Sequence, residues 1–255
     1  MKTRKETSNK WLILVIVVSM TFMATLDSSI VNVALPVMAK ELKCSMIAIE
    51  WVVASYSIII CGTILFFGKL GDIVGKEKIF QLGCIGFIIG SLLCGISQSF
   101  TMLIICRFIQ GIGGAAYMAN NHGIITEIFE QEQRGKALGI LTTAVALGTM
   151  IGPPVGGLIV SLLEWHYIFL VNIPIGIVIL ALSVKIFIKK KIEFNIQHLD
   201  VIGAILQCVG MILFFGAFIV SQEKGLENKS VILAVVVSVF LFIIFGIVEK
   251  KHSNP

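Results

Sequence analysis

Residues 136–163 read KALGILTTAVALGTMIGPPVGGLIVSLL, and this stretch decides the fold. It is an apolar run of helical length that carries Gly139, Gly148, Gly152, Pro153, Pro154, Gly156 and Gly157. Glycine and proline are the poorest helix formers in water. In a bilayer the helix is enforced, because no water is there to satisfy an unpaired backbone. Gly148, Gly152 and Gly156 fall four apart and line one face, which lets a second helix backbone approach closely. Pro153 and Pro154 have no N–H, so the Thr149 and Met150 carbonyls lose their helical donors and a bend is expected there. From the glycines alone, the plain reading is a tight helix–helix contact.

Composition extends this reading to the whole chain. Hydrophobic residues make up 57% and charged residues 14%, against about 25% charged in soluble domains. Eight apolar runs approach the roughly 20 residues needed to cross a bilayer. They lie near 11–37, 47–67, 79–97, 101–125, 137–163, 166–188, 201–221 and 230–248. The fold class expected is therefore all-α and integral to the membrane. The first run is too long for a cleaved signal peptide and lacks a small-residue cleavage site.

Charge orients the spans. With the N-terminus in the cytoplasm, 15 of the 20 lysines and arginines fall on the inner side. Four (Lys40, Lys43, Lys224 and Lys229) fall outside, and Arg107 lies within a span. The positive-inside rule then places both termini in the cytoplasm of a multi-pass cell-membrane protein. The net charge of +5 is a topology signal and no sign of nucleic-acid binding. Six cysteines show no CxxC and no metal spacing, so neither a disulfide framework nor a zinc site is expected.

Gly139, Gly148, Gly152, Pro153, Gly156 and Gly157 match at every position the pattern G-x8-G-x3-G-P-x2-G-G. This resembles the antiporter signature of the major facilitator superfamily. Four further stretches resemble the same family. Residues 68–80, GKLGDIVGKEKIF, match its loop motif at Gly68, Leu70, Asp72, Gly75, Lys76 and Lys78, with Ile73 where an arginine is common. Arg107, Gln110 and Gly111 match its R-x-x-Q-G motif. Asp27, Asn32 and Ala34–Leu35–Pro36, with Trp165, Phe169, Asn172, Pro174 and Gly176, resemble the drug/proton antiporters of fourteen spans. The resemblance implies a conformational latch at Gly68, Asp72, Gly75 and Lys76, and an antiporter helix that packs between two halves. It implies a six-helix bundle over residues 1–190, two linker helices over 191–255, and a C-terminal six-helix bundle that these 255 residues lack.

Several positions carry an expectation of their own. Asp27 is an ionisable group in apolar sequence, where burial disfavours its charged form. Intramembrane carboxylates mark proton or ion pathways by default. Arg107 sits roughly 9 Å into its span at 1.5 Å per residue. From there it can snorkel outward or share a layer and a proton pathway with Asp27. Asn120, Asn121 and His122 form a polar group lower in that span, read first as interhelical hydrogen bonding. Asn32, Gln110, Asn120 and His122 make up a candidate substrate path. Gly68, Gly71 and Gly75 are expected to form a tight inner turn, with Asp72 capping a helix start or pairing with a cation. Trp165 and Tyr167 are expected at the outer interface.

The function these resemblances imply is proton-coupled efflux of drugs or other small amphipathic or cationic compounds, by the N-terminal part of a larger transporter. Protons, a small-molecule substrate and the lipid bilayer are the expected partners. The alternative is a truncated membrane protein that does not transport, or a half-transporter completed by a missing C-terminal half, a second copy or a separate chain. In that case the Gly148–Gly152–Gly156 groove would face lipid, another copy or a partner. A facilitator without proton coupling is a third reading, which Asp27 opposes. No cofactor is expected: no G-x-x-x-x-G-K-[ST] phosphate loop is present. An enzyme is least supported, because no nucleophile set converges and His122, His166, His198 and His252 lack metal spacing.

Overall fold

The computed structural model describes residues 2–187 and 201–251, all of it helix and short connections. The helices are α1 (Lys2–Glu41), α2 (Met46–Ile49), α3 (Trp51–Val74), α4 (Lys76–Gly95), α5 (Phe100–Ile128), α6 (Gln131–Leu162), α7 (Tyr167–Leu170), α8 (Asn172–Ile186), α9 (Val201–Lys224) and α10 (Lys229–Lys251). Among the described residues, eight segments are long and apolar enough to cross a membrane. The second and sixth spans each begin with a four-residue helix, α2 and α7, set off from the main helix by a break. Side chains start several helices: Ser45 accepts from the Ala48 N–H, and Ser99 from the Met102 N–H. Each satisfies a donor that the first turn leaves orphaned. The Lys189–Lys191 anchor and the division at residue 190 lie outside the described residues.

Small residues set the closest helix pairs, as expected where no hydrophobic force drives association in lipid. On α4, Gly83, Gly86 and Gly90 meet the backbone of α5 at Tyr117, Gly113 and Gln110. A Cβ added at Gly86 would lie 3.1 Å from the Gly113 Cα. On α6, Gly148, Gly152 and Gly156 pack against Phe22, Thr25, Ser29 and Ile30 of α1. This corrects the expectation for the groove. It faces neither lipid nor a partner, because α1 of the same bundle fills it. Gly139 and Gly157 have nothing near them, and Pro153 and Pro154 lie on the exposed side of the helix. The helix runs unbroken through both prolines.

The α3–α4 connection also differs from the expectation. Gly68 and Gly71 lie inside α3 and only Gly75 turns the chain, at φ 107°. Asp72 caps no helix. It sits in the last turn of α3 and pairs with Lys76 at 2.7 Å. Trp165, expected at the interface, is 1% exposed. Its indole N–H donates to Glu41 at 2.8 Å and its ring stacks on His166. A buried indole needs a partner for its N–H, and Glu41 supplies one.

Helix α9 lies against α3. Cys208 sits over Gly62, and Gln207 donates to the Cys61 carbonyl at 3.3 Å. Two apolar clusters fill the bundle. One gathers Ile13–Ala24 of α1 with Phe80, Phe87 and Tyr117. The other gathers Leu26–Ala39 of α1 with Leu103, Trp165 and Phe169. Asp27 on α1 and Arg107 on α5 fall where the two clusters meet.

Candidate functional site

Asp27 and Arg107 form a salt bridge of 2.8 Å, and neither side chain has any exposed surface. Arg107 therefore does not snorkel. Removing two charges from water costs several kcal/mol per ion even after relaxation. Hydrogen bonds from four helices satisfy the carboxylate and the Arg107 Nε and Nη1 groups, while Arg107 Nη2 is buried without a partner. Asp27 Oδ2 accepts from Arg107 Nη1. Asp27 Oδ1 accepts from Gln110 Nε2 at 3.2 Å and from Asn172 Nδ2 at 2.6 Å. Arg107 Nε donates to the Val52 carbonyl at 3.0 Å, and Nη1 also reaches Gln110 Oε1 at 2.6 Å. Gln110 Nε2 donates in addition to the Ser91 hydroxyl at 2.8 Å. The guanidinium lies 4.4 Å from the centre of the Tyr56 ring and 5.4 Å from that of Phe169. Cation–π contacts of this kind are worth about 2 kcal/mol when desolvated.

Two further features belong to the cluster. Arg107 keeps Val52, Gln110 and the Tyr56 face as partners independent of Asp27, so it can survive the loss of the carboxylate's charge. Asn172 Oδ1 is buried with no hydrogen-bond partner. It belongs to the amide that already touches Asp27, so rotation of that amide offers an acceptor to a protonated carboxyl.

An open cavity of about 370 Å³ adjoins the cluster, between α1, α3, α5 and α6. Thr25, Ser28, Ser29, Asn32, Tyr56, Ser57, Cys61 and Thr149 are among its lining residues. Tyr56 belongs to both places: its ring covers Arg107 and its edge lines the cavity. Ser28, on the cavity wall, directly follows Asp27.

Of the residues singled out in the sequence, the structure brings together Asp27, Arg107 and Gln110. Asn32 lines the cavity and donates to the Ser28 carbonyl. Asn120 is spent on the Phe67 and Ala116 carbonyls, tying α5 to α3, and Gly71 packs on its amide. Asn121 donates to Thr21 at 2.9 Å, tying α5 to α1. His122 is exposed and stands apart from these contacts. At the α3–α4 connection Lys76 Nζ bridges Asp72 at 2.7 Å and Glu127 at 2.6 Å, joining α3, α4 and α5. Sequence reasoning missed Asn172, Ser91 and Tyr56 as members of the cluster. Asn172 was visible as an amide in an apolar run, but Ser91 and Tyr56 carry no signal of their own. No cluster of metal-ligating residues is present among the described residues.

A helical bundle with eight segments of membrane-spanning length thus holds a buried carboxylate–guanidinium pair beside an open cavity. Residues 17–252 match the Major Facilitator Superfamily. The chain belongs to this superfamily. It is a multi-span membrane protein and not an enzyme. It is 37% identical to the riboflavin transporter RibZ of Clostridioides difficile over 96% of this chain and 52% of that protein. It is 34% identical to multidrug resistance protein 3 of Bacillus subtilis, over 99% of this chain and 49% of that protein. It is 30% identical to the methylenomycin A resistance protein of the same organism, over 99% and 54%. The chain thus spans about half the length of these superfamily relatives.

Proposed function

We propose that the chain forms the N-terminal part of a proton-coupled exporter, in which a proton taken up at Asp27 is exchanged for a small amphipathic compound. The single observation carrying this reading is the wholly buried Asp27–Arg107 pair, whose partners can serve both protonation states. With Asp27 charged, Arg107, Gln110 and Asn172 all donate to it. Protonation removes the attraction to Arg107, turns one acceptor into a donor, and leaves Asn172 Oδ1 free to receive that hydrogen. The two states differ in how α1 is held to α5 and α8. A substrate against Ser28 and Tyr56 touches both edges of the pair, so occupancy and protonation can bias each other. The relatives named for multidrug and methylenomycin resistance support efflux as the direction.

A proposed division completes this picture. Residues 1–190 form the six-helix bundle, 191–255 contribute two further spans, and both termini face the cytoplasm, following the lysine and arginine asymmetry. Alternating access works by rocking of two halves about a midplane site. The exposed face of α6, with Leu147, Met150, Pro154 and Leu158, supports a second bundle meeting it there. That bundle would come from the same polypeptide, a second copy or a separate chain.

The test is transport in proteoliposomes with an imposed pH gradient. Substrate-driven proton flux that disappears in Asp27→Asn supports exchange. Transport by Asp27→Asn that is unimpaired at every pH would establish a facilitator instead.

A further inference from the structure

The cavity beside the ion pair is mostly apolar, with uncharged hydroxyl and amide groups on its wall. Among its described lining residues there is no Asp, Glu, Lys, Arg or His. The nearest carboxylate, Asp27, has no exposed surface, and its charge is already matched by Arg107. An organic cation entering this space would lose hydration and meet no anion, which is costly in a partly desolvated site.

Four of the six hydroxyls on the wall are committed in one direction. Thr25 donates to the Thr21 and Phe22 carbonyls, and Ser57 to the Val53 carbonyl. Thr149 donates to the Val145 carbonyl, and Ser29 to the Thr149 carbonyl. The Asn32 amide donates to the Ser28 carbonyl. The other two belong to Ser28 and to Tyr56, whose hydroxyl is itself buried. A hydroxyl has one hydrogen and two lone pairs. With four hydrogens spent on backbone, acceptors outnumber donors on the wall. A volume of about 370 Å³ is in the range of small-molecule sites.

We infer that this cavity binds neutral molecules bearing O–H or N–H donors, in preference to organic cations. The inference rests on the exporter reading and narrows its substrate class. Donors on the ligand would meet the lone pairs of Thr25, Ser29, Ser57 and Thr149, and an apolar portion would lie on Tyr56 and Met118.

The cavity contains its own reporter. Cys61 lines it and is exposed, whereas Cys84, Cys94 and Cys106 are buried. The experiment measures the rate at which Cys61 reacts with a fluorescent maleimide in the purified chain, with Cys61→Ser identifying its share of the label. Three probes are compared. Chloramphenicol is neutral and carries two O–H and one N–H donor. Its diacetate has both hydroxyls capped, and tetraphenylphosphonium is a cation without donors. A bound ligand at twice its Kd slows labelling about threefold. Chloramphenicol is expected to protect Cys61 at lower concentration than either comparison compound.

Ser57→Asp places a carboxylate on the wall and is expected to make tetraphenylphosphonium protect. Equal or better protection by the cation in the unaltered chain overturns the substrate class and leaves the exporter reading standing. Protection by none of the three, or a diacetate that protects as well as its parent, overturns the inference. Loss of proton-coupled efflux with the protection order intact sinks the exporter reading alone.

Discussion

The Ser29 hydroxyl donates a 2.9 Å hydrogen bond to the Thr149 carbonyl, the acceptor that Pro153 leaves without a helical donor. The proline on α6 is thus satisfied by α1. The two helices can come this close because Gly152 lies beneath Ser29, with Gly148 and Gly156 one turn to either side. The glycines and the proline of one motif act together: three remove side chains so that α1 can approach, and the proline gives α1 an acceptor to bind.

The glycines of α6 should therefore separate into two groups. A Cβ at Gly152 would collide with the Ser29 side chain, so Gly152→Leu is expected to lower the melting temperature in detergent sharply. Gly139→Ala and Gly157→Ala, with nothing near them, should be neutral or stabilise by up to about 1 kcal/mol, the helix preference of alanine over glycine. Equal destabilisation by all three would contradict the α1–α6 packing.

A second prediction concerns the charge pair. Removing one partner of a buried salt bridge costs about 3–5 kcal/mol, because the other charge is left uncompensated. Asp27→Asn and Arg107→Leu should each destabilise the fold. The double variant should be more stable than the sum of the two predicts. Strict additivity in reversible unfolding would mean that the two groups do not interact.

How much of this was legible in the sequence follows from what each element depends on. The eight spans were readable because apolar length is a local property. Asp27, Arg107 and Gln110 stood out because polar groups in apolar helices are costly and so conspicuous. Their meeting depends on helix packing, which no single span encodes. Asn172 joins them from a helix 145 positions along the chain, and Ser91 enters only because Gln110 has an N–H to place. The misplaced elements share one cause. The α6 glycine face is expected to meet a second half, another copy or lipid, because four-residue spacing shows that a backbone comes near without showing whose. Trp165 was placed in the interface because its composition suits that position, and its burial depends on Glu41, which the sequence gives no reason to pair with it.

Asn172 yields a prediction about how α1 is tied to α8. Its amide donates to Asp27 at 2.6 Å, and a hydrogen bond to a charged group is worth about 1.5–3 kcal/mol. Asn172→Leu removes that donor from a buried carboxylate and is expected to lower the melting temperature in detergent. Asn172→Gln, which keeps the amide, should recover part of the loss. An Asn172→Leu variant as stable as the unaltered chain would mean that the bond does not hold α1 to α8.

The α3–α4 connection separates backbone geometry from charge. Lys76 bridges Asp72 and Glu127, but both carboxylates are well exposed. Exposed pairs of this kind contribute up to about 1 kcal/mol and weaken with salt. Gly75 joins α3 to α4 at φ 107° and ψ 124°, where a side chain is strained by about 1–3 kcal/mol. Gly75→Ala should therefore lower the melting temperature more than Lys76→Ala, and its effect should persist in high salt. The Lys76→Ala deficit should shrink as salt rises. If Lys76→Ala proves the more damaging variant and remains so in high salt, the charge bridge and not the glycine turn holds this end of the bundle.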